Sequence, residues 1–349
     1  MARLQSLSGE IEAIRGAIHD ARVSVARAAA SFDQIVKADL WASEAGFAGE
    51  SDRLGVVLDR QKLMEAMIAG FLVRLEETAA AARKAHATSN GVPRDKKALF
   101  FLDWRRRRHV SRFNAAMVSG AVRDILAASD TMIGMLGEHR AALGLYFRRS
   151  EKNLVQMIAR RKQSLANVED LHRRIRKAEL LLRDFQHRLG DAGDRASRNR
   201  LAAERAALEN EYARMQDMKQ QQRGESQTLA RCIAIFSDFV DALSSQIAGQ
   251  NTLINKVVID AERCILLYRA MTSPPPTPGD ADGMDVMAPR NDAIAALRAS
   301  GLPHIDILLD MSEKDILIGQ GIERRKEQSD EAFARQFRPH RHEAMRVGS

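Results

Sequence analysis

A chain of 349 residues with 45% apolar side chains can bury a substantial core, but only 5% of it is aromatic, which excludes a thick globular core built on rings. Abundant Ala, Leu, Arg and Glu with 29% charged residues is the balance of long helices packed along narrow seams. The net charge of +8 and a pI near 9.7 favour acidic partners, nucleic acid or an anionic membrane surface.

Leu4, Leu7, Ile11, Ile14, Ile18, Ala21, Val25, Ala28, Phe32 and Ile35 alternate at spacings of three and four, which predicts a coiled-coil helix over about 2–42. Gly46 and Gly49 interrupt it, and Ser51 or Asp52 is the expected cap of a second helix. That helix presents Val57, Met64, Ile68, Phe71 and Leu75 on one face and stops at the turn cluster Ser89 to Pro93. Residues 1–93 thus read as an N-terminal helical hairpin packed on the remainder. A third helix is predicted through Val110, Met117, Val122 and Ile125 towards Leu136, loosening at Gly134 and Gly137. A fourth spans Leu145 to Leu189, with Leu154, Val168, Ile175 and Leu182 at one heptad position and Met157, Leu171 and Ala178 at the partner position.

Gly190, Asp191, Gly193 and Asp194 mark the tip of an antiparallel hairpin near 190–197, with Gly as a helix C-cap and Asp or Ser as the next N-cap. The stripe that follows is the longest in the chain. Leu201, Leu208, Met215, Gln222, Leu229, Phe236, Leu243, Gln250, Val257 and Cys264 recur every seven residues, with Tyr212, Ile233, Val240, Ile247, Ile254 and Tyr268 on the interleaved positions. At ~1.5 Å per residue, Leu201 to Tyr268 is a helix on the order of 100 Å long. Folding the hairpin about residue 194 sets the polar positions Lys219, Gln222 and Ser226 opposite Arg161 and Ser164, a register-setting layer or a loosened hinge. An arm of ~45 residues covers the long helix only to about Ser237, so Asp238 to Met271 needs the first or third helix, or a second subunit.

The stripe ends at Ser273-Pro274-Pro275-Pro276, opening a proline-rich linker over 274–289. A short helix at Asn291 to Ala299, a turn at Gly301 to Pro303 and an apolar segment, Ile305 to Met311, lead to a helix opened by Ser312 with Asp315 three residues on. Residues 290–338 are expected to form a small helical module reaching out from the bundle, with a basic disordered tail at 339–349. Its removal is expected to leave bundle stability nearly unchanged. The fold class expected is all-α: an elongated antiparallel coiled-coil bundle, with the long bundle over 94–273 and this small C-terminal module.

Motifs of chemistry are absent. There is no phosphate-binding glycine loop, H-E-x-x-H or C-x-x-C, and no local arrangement pointing to a catalytic triad or a carboxylate pair. No catalytic, cofactor-binding or metal residue is assigned, no cofactor is expected, and no small-molecule substrate is evident. Cys232 and Cys264 are expected to be small buried hydrophobes, and two cysteines in a chain of this size suit a reducing compartment. The apolar runs fall short of the ~20 residues that cross a bilayer, and the N-terminus lacks the apolar segment of a signal peptide. The expectation is a cytoplasmic protein of bacterial type, at most peripheral to the inner membrane.

One stretch stands out in composition: Phe100, Phe101 and Trp104 run directly into Arg105, Arg106, Arg107 and Arg108. Rings beside four arginines suit the headgroup region of an anionic bilayer or the phosphates of nucleic acid. The simpler alternative puts the rings in the bundle core and the arginines in water. The function expected is a non-enzymatic scaffold or assembly protein acting through protein partners or self-association. The alternatives are a peripheral binder of anionic membranes, of the envelope-stress or toxic-anion-resistance kind, and a coiled-coil protein associated with DNA or RNA. No motif ties the chain to a family.

Overall fold

The computed structural model describes residues 2–37, 49–90, 102–272, 294–314 and 318–337. It is all-α, 97% helical among the described residues and without strands. The helices are α1 (Ala2–Lys37), α2 (Glu50–Asn90), α3 (Leu102–Asp191), α4 (Arg195–Thr272), α5 (Pro303–Lys314) and α6 (Ile318–Phe337), with a helical turn at 294–298 before α5.

The expected third and fourth helices are one. α3 runs for 90 residues through Gly134 and Gly137, because a helix-interior glycine costs only about 1 kcal/mol, which packing readily offsets. Gly134 serves as a close approach: a Cβ there would meet the His304 ring at 3.2 Å. The predicted hairpin tip is present, reduced to 192–194 between α3 and α4. Asp194 caps α4, its Oδ1 accepting the Ser197 N–H at 2.7 Å. The glycines do not cap α3. The carbonyl of Ala192 is taken instead by Arg198 Nε at 2.8 Å, and the glycines with positive φ among the described residues are Gly49 and Gly301. α2 also starts differently from expectation. Gly49, at φ 91°, precedes it and accepts the Arg53 N–H at 3.0 Å, while Glu50 turns inward to Ser31 and Arg53.

The chain divides into two compact units. Unit 1 comprises Met1–Ser24, Leu58–Gly144 and Ser245–Ser349; unit 2 comprises Val25–Val57 and Leu145–Ser244. In unit 1 the core joins every helix. Ile14 and Ile18 of α1, Ile68 and Leu72 of α2, Val122 and Leu126 of α3, Leu253 and Val257 of α4, Ile305 and Leu309 of α5 and Phe337 of α6 belong to one buried cluster. The C-terminal helices are therefore part of this core, which corrects the expectation of a module reaching out from the bundle: their apolar faces match seams that α1–α4 leave uncovered. By length and composition α4 is also apolar enough to cross a membrane, but its seam residues, from Leu229 to Ile265, are buried against neighbouring helices as in a core helix.

In unit 2, Phe32 of α1 packs in tilted contact against Phe236 and Phe239 of α4, with ring centroids at 4.2 and 4.8 Å. Asp33 pairs with Arg149 and accepts a hydrogen bond from Asn153. Towards the tip, the described structure is α3 against α4 alone, with a small buried cluster of Leu171, Ile175, Ala178 and Met215 backed by Leu208 and Tyr212. The expected polar layer forms in part: Ser164 Oγ donates to the Gln222 carbonyl at 3.0 Å, but Arg161 Nε is buried without a hydrogen-bond partner and Lys219 goes instead to His172 at 3.2 Å, while Arg160, outside the expected set, pairs with Glu225 at 3.2 Å.

Candidate functional site

The most organised chemistry among the described residues lies in unit 1, where α2, α4 and α6 meet. α4 contributes Lys256 and Asp260 one turn apart, α6 repeats the device with Lys326 and Asp330, and α2 adds Glu76. Spacing i, i+4 places each Lys and Asp on one helix face. Lys256 Nζ lies 3.1 Å from Glu76 Oε2, 2.9 Å from Asp260 Oδ2 and 2.5 Å from Asp330 Oδ1. Lys326 Nζ lies 2.5 Å from Glu76 Oε1, 3.2 Å from Asp260 Oδ1 and 2.9 Å from Asp330 Oδ2. Each carboxylate thus gives one oxygen to each lysine; Lys326 hydrogen-bonds all three acids, and Lys256 hydrogen-bonds Glu76 and Asp330 and ion-pairs with Asp260.

The two lysine side chains are 3% and 8% exposed, so their charge survives burial only because every donor is matched. Burial works against the charge on Lys326, but hydrogen bonds to Glu76 and Asp330 outweigh it and raise its pKa. Burial likewise opposes ionisation of Glu76 and Asp330, and the two lysines prevail and lower both. Three carboxylates this close have the spacing of a cation site. With every oxygen already bonded to an ammonium, the donor set is that of an ion-pair clasp. Arg325–Glu262 and Arg263–Glu323, both at 2.9 Å, extend it along α4 and α6.

A second polar joint fastens α5. Pro303 suits the first helical position but no side chain from the residues leading into the helix caps it, and Asp130 of α3 does so instead. Its Oδ1 accepts the N–H groups of His304 at 2.8 Å and Ile305 at 3.0 Å. The expected capping box at Ser312 is not used, since α5 runs through Ser312 to Lys314.

A third feature lies in the seam between α3 and α4 of unit 1. Ile125 and Ser129 line one small pocket with Cys264 and Asp260. Two heptads further along, the same antiparallel register brings His139 level with Gln250. His139 is 1% and Gln250 0% exposed, and none of their side-chain nitrogens or oxygens has a hydrogen-bond partner. Burial, with Arg22 adding repulsion, depresses His139 to a pKa of about 4. Burial also pushes the thiols of Cys232 and Cys264 up to about 11 and 12, which makes them inert apolar fillers as expected.

Of the residues singled out in sequence, Phe100 and Phe101 lie outside the described residues. Trp104 and Arg105 to Arg108 fall in the first turns of α3, with their side chains outside the described part. The clasp was missed in sequence because Glu76, Lys256 and Lys326 sit in unremarkable charged helices; its one local signal is K-x-x-x-D, occurring in both α4 and α6.

Fold and joints define a class: an all-α bundle whose buried charged groups fasten helices to one another. No protein-family model matches the chain, and no curated protein and no solved structure matches it.

Proposed function

We propose that this protein is a non-enzymatic helical scaffold, acting through protein partners or self-association. The observation that supports the reading is the α3–α4 hairpin of unit 2. From Met157 to Leu229 two helices run side by side with a narrow seam, and most of their remaining surface faces solvent. So much exposed helix on so little core suits a surface meant to be covered or to set a distance. The clasp fits the same reading, since its charged groups are consumed in holding helices together.

The hairpin can be shortened in register by deleting 171–184 with 203–216, two heptads from each arm. The scaffold reading expects unit 1 to melt unchanged while the oligomer seen by light scattering, or the set of proteins cross-linked in cells, changes. Identical mass and identical cross-links for both proteins would end it.

A further inference from the structure

The hairpin's two helices are unequal. Among the described residues ten large apolar side chains are conspicuously exposed, and six of them, Leu145, Val155, Ile158, Leu165, Leu180 and Leu181, lie on α3 within unit 2; α4 contributes Met218. An isolated exposed leucine is ordinary. These are not scattered. With the buried seam at Met157, Ser164, Leu171 and Ala178, positions 145 and 180 fall opposite α4, 155 next to them, and 158 and 165 at the edge of the seam, so the five share one arc of α3.

The same side carries Arg148, Lys152, Lys162, Arg173, Arg176 and Arg183, all exposed, against Glu169 and, at its edge, Glu151 and Glu179, the latter bonded to Tyr212. Arg173 has a loose pairing with Asp170 at 3.6 Å; the other five have no ion-pair partner among the described residues. From Leu145 to Arg183 this face extends for ~57 Å along the helix.

We propose that the outer face of α3 in unit 2 binds the surface of an anionic phospholipid bilayer, with the helix lying along the interface. Aliphatic side chains interleaved with Lys and Arg match the two layers a leaflet offers, acyl boundary and phosphate headgroup. Charge complementarity alone would also admit nucleic acid. A phosphate backbone, however, gives Val155, Ile158 and Leu165 nothing to bury in, and this face has no exposed aromatic ring on which bases stack. This surface is distinct from the 100–108 stretch and does not depend on the scaffold reading.

The test is co-sedimentation of the full chain with phosphatidylcholine vesicles with and without phosphatidylserine. One variant carries Val155→Ser, Ile158→Ser and Leu165→Ser; a second carries Lys152→Glu, Lys162→Glu and Arg176→Glu. All six positions are exposed, and circular dichroism checks that both variants fold. The wild type is expected to sediment with the phosphatidylserine vesicles only, and each variant to bind at least about tenfold more weakly. A Leu165→Trp variant is expected to shift its emission to the blue on those vesicles. No vesicle binding by the wild type overturns the proposal. So does binding that survives both variants but is lost when Arg105 to Arg108 become glutamate. Loss in the basic variant alone, with no Trp shift, overturns it too and reduces the face to a polyanion patch, as does RNA competing as well as the vesicles do.

Discussion

Units 1 and 2 are built on the same heptad stripe of α4, but they convert it into stability differently. In unit 1 the residues Leu253, Val257, Ala261 and Ile265 are covered by several helices and nearly vanish from solvent. Near the tip of unit 2, Leu208 and Tyr212 on the same helix are only half-buried, because one neighbour is all they have. A heptad pattern states which side of a helix is apolar, while the number of helices meeting that side sets how much area leaves water.

The comparison breaks most completely if the C-terminal helices are removed. Ending the chain at residue 293 uncovers the partners of Leu297, Ile305, Leu309, Ile322 and Phe337 and strips the clasp of Lys326 and Asp330. At roughly 1.5–3 kcal/mol per buried side chain, the loss is comparable with the whole stability of a domain. Thermal melting should show unit 1 unfolding tens of degrees earlier. A truncated protein that melts where the full chain does would restore the idea of a free module.

Next in size is Lys256→Met. It leaves three carboxylates around a single ammonium, and breaking a buried pair from one side costs about 3–5 kcal/mol. Lys256→Met combined with Asp260→Leu should recover part of that loss, and chemical denaturation of the single and double variants measures it. No recovery would mean the lysine acts through packing and not charge.

Acid should expose a third difference, confined to unit 1. His139 is neutral in the fold with a pKa of about 4, below its ordinary 6.5, so its contribution is complete above pH 6.5 and disappears as pH falls towards 4. The span corresponds to about 3 kcal/mol. The lowered carboxylates of Glu76 and Asp330 add a second loss below their ordinary values of 4.5 and 3.8. Lys326, with its pKa raised, weakens the clasp only as pH climbs past its ordinary 10.5. His139→Leu should remove the first acid step. At neutral pH it should be neutral or stabilising by about 1 kcal/mol, because neither ring nitrogen has a partner to lose. An unchanged acid profile in that variant would sink the assignment.

Smallest are the caps and the tip. Asp130→Ala deprives two N–H groups of α5 of their acceptor and should cost about 1–2 kcal/mol. Asp194→Ala, at the exposed start of α4, should cost less, because water replaces the lost acceptor there. Equal shifts of the denaturation midpoint in the two variants would mean that burial of the first cap adds nothing.

Much of the fold is legible in the sequence. The hairpin tip, the face each long helix buries and the opposition of Ser164 to Gln222 follow from heptad spacing, because a period of 3.5 residues leaves one stripe and one register to satisfy. The break expected at Gly134 failed for a local reason: the glycine lets His304 approach and does not end the helix. The clasp could not be foreseen, since charged residues on amphipathic helices look solvated until another helix closes over them. Asp130 capping a helix more than 170 residues later belongs to the same category.

By itself, then, the sequence determined that this chain is helical, where its longest helices turn, and which stripe of each is apolar, all consequences of short-range periodicity. Tertiary structure alone decided which helices share unit 1, that α5 and α6 belong to its core, and that five ionisable side chains from three helices pair with one another. Those outcomes depend on groups brought together from distant parts of the chain, where burial changes what a charge costs and therefore what it must find as a partner.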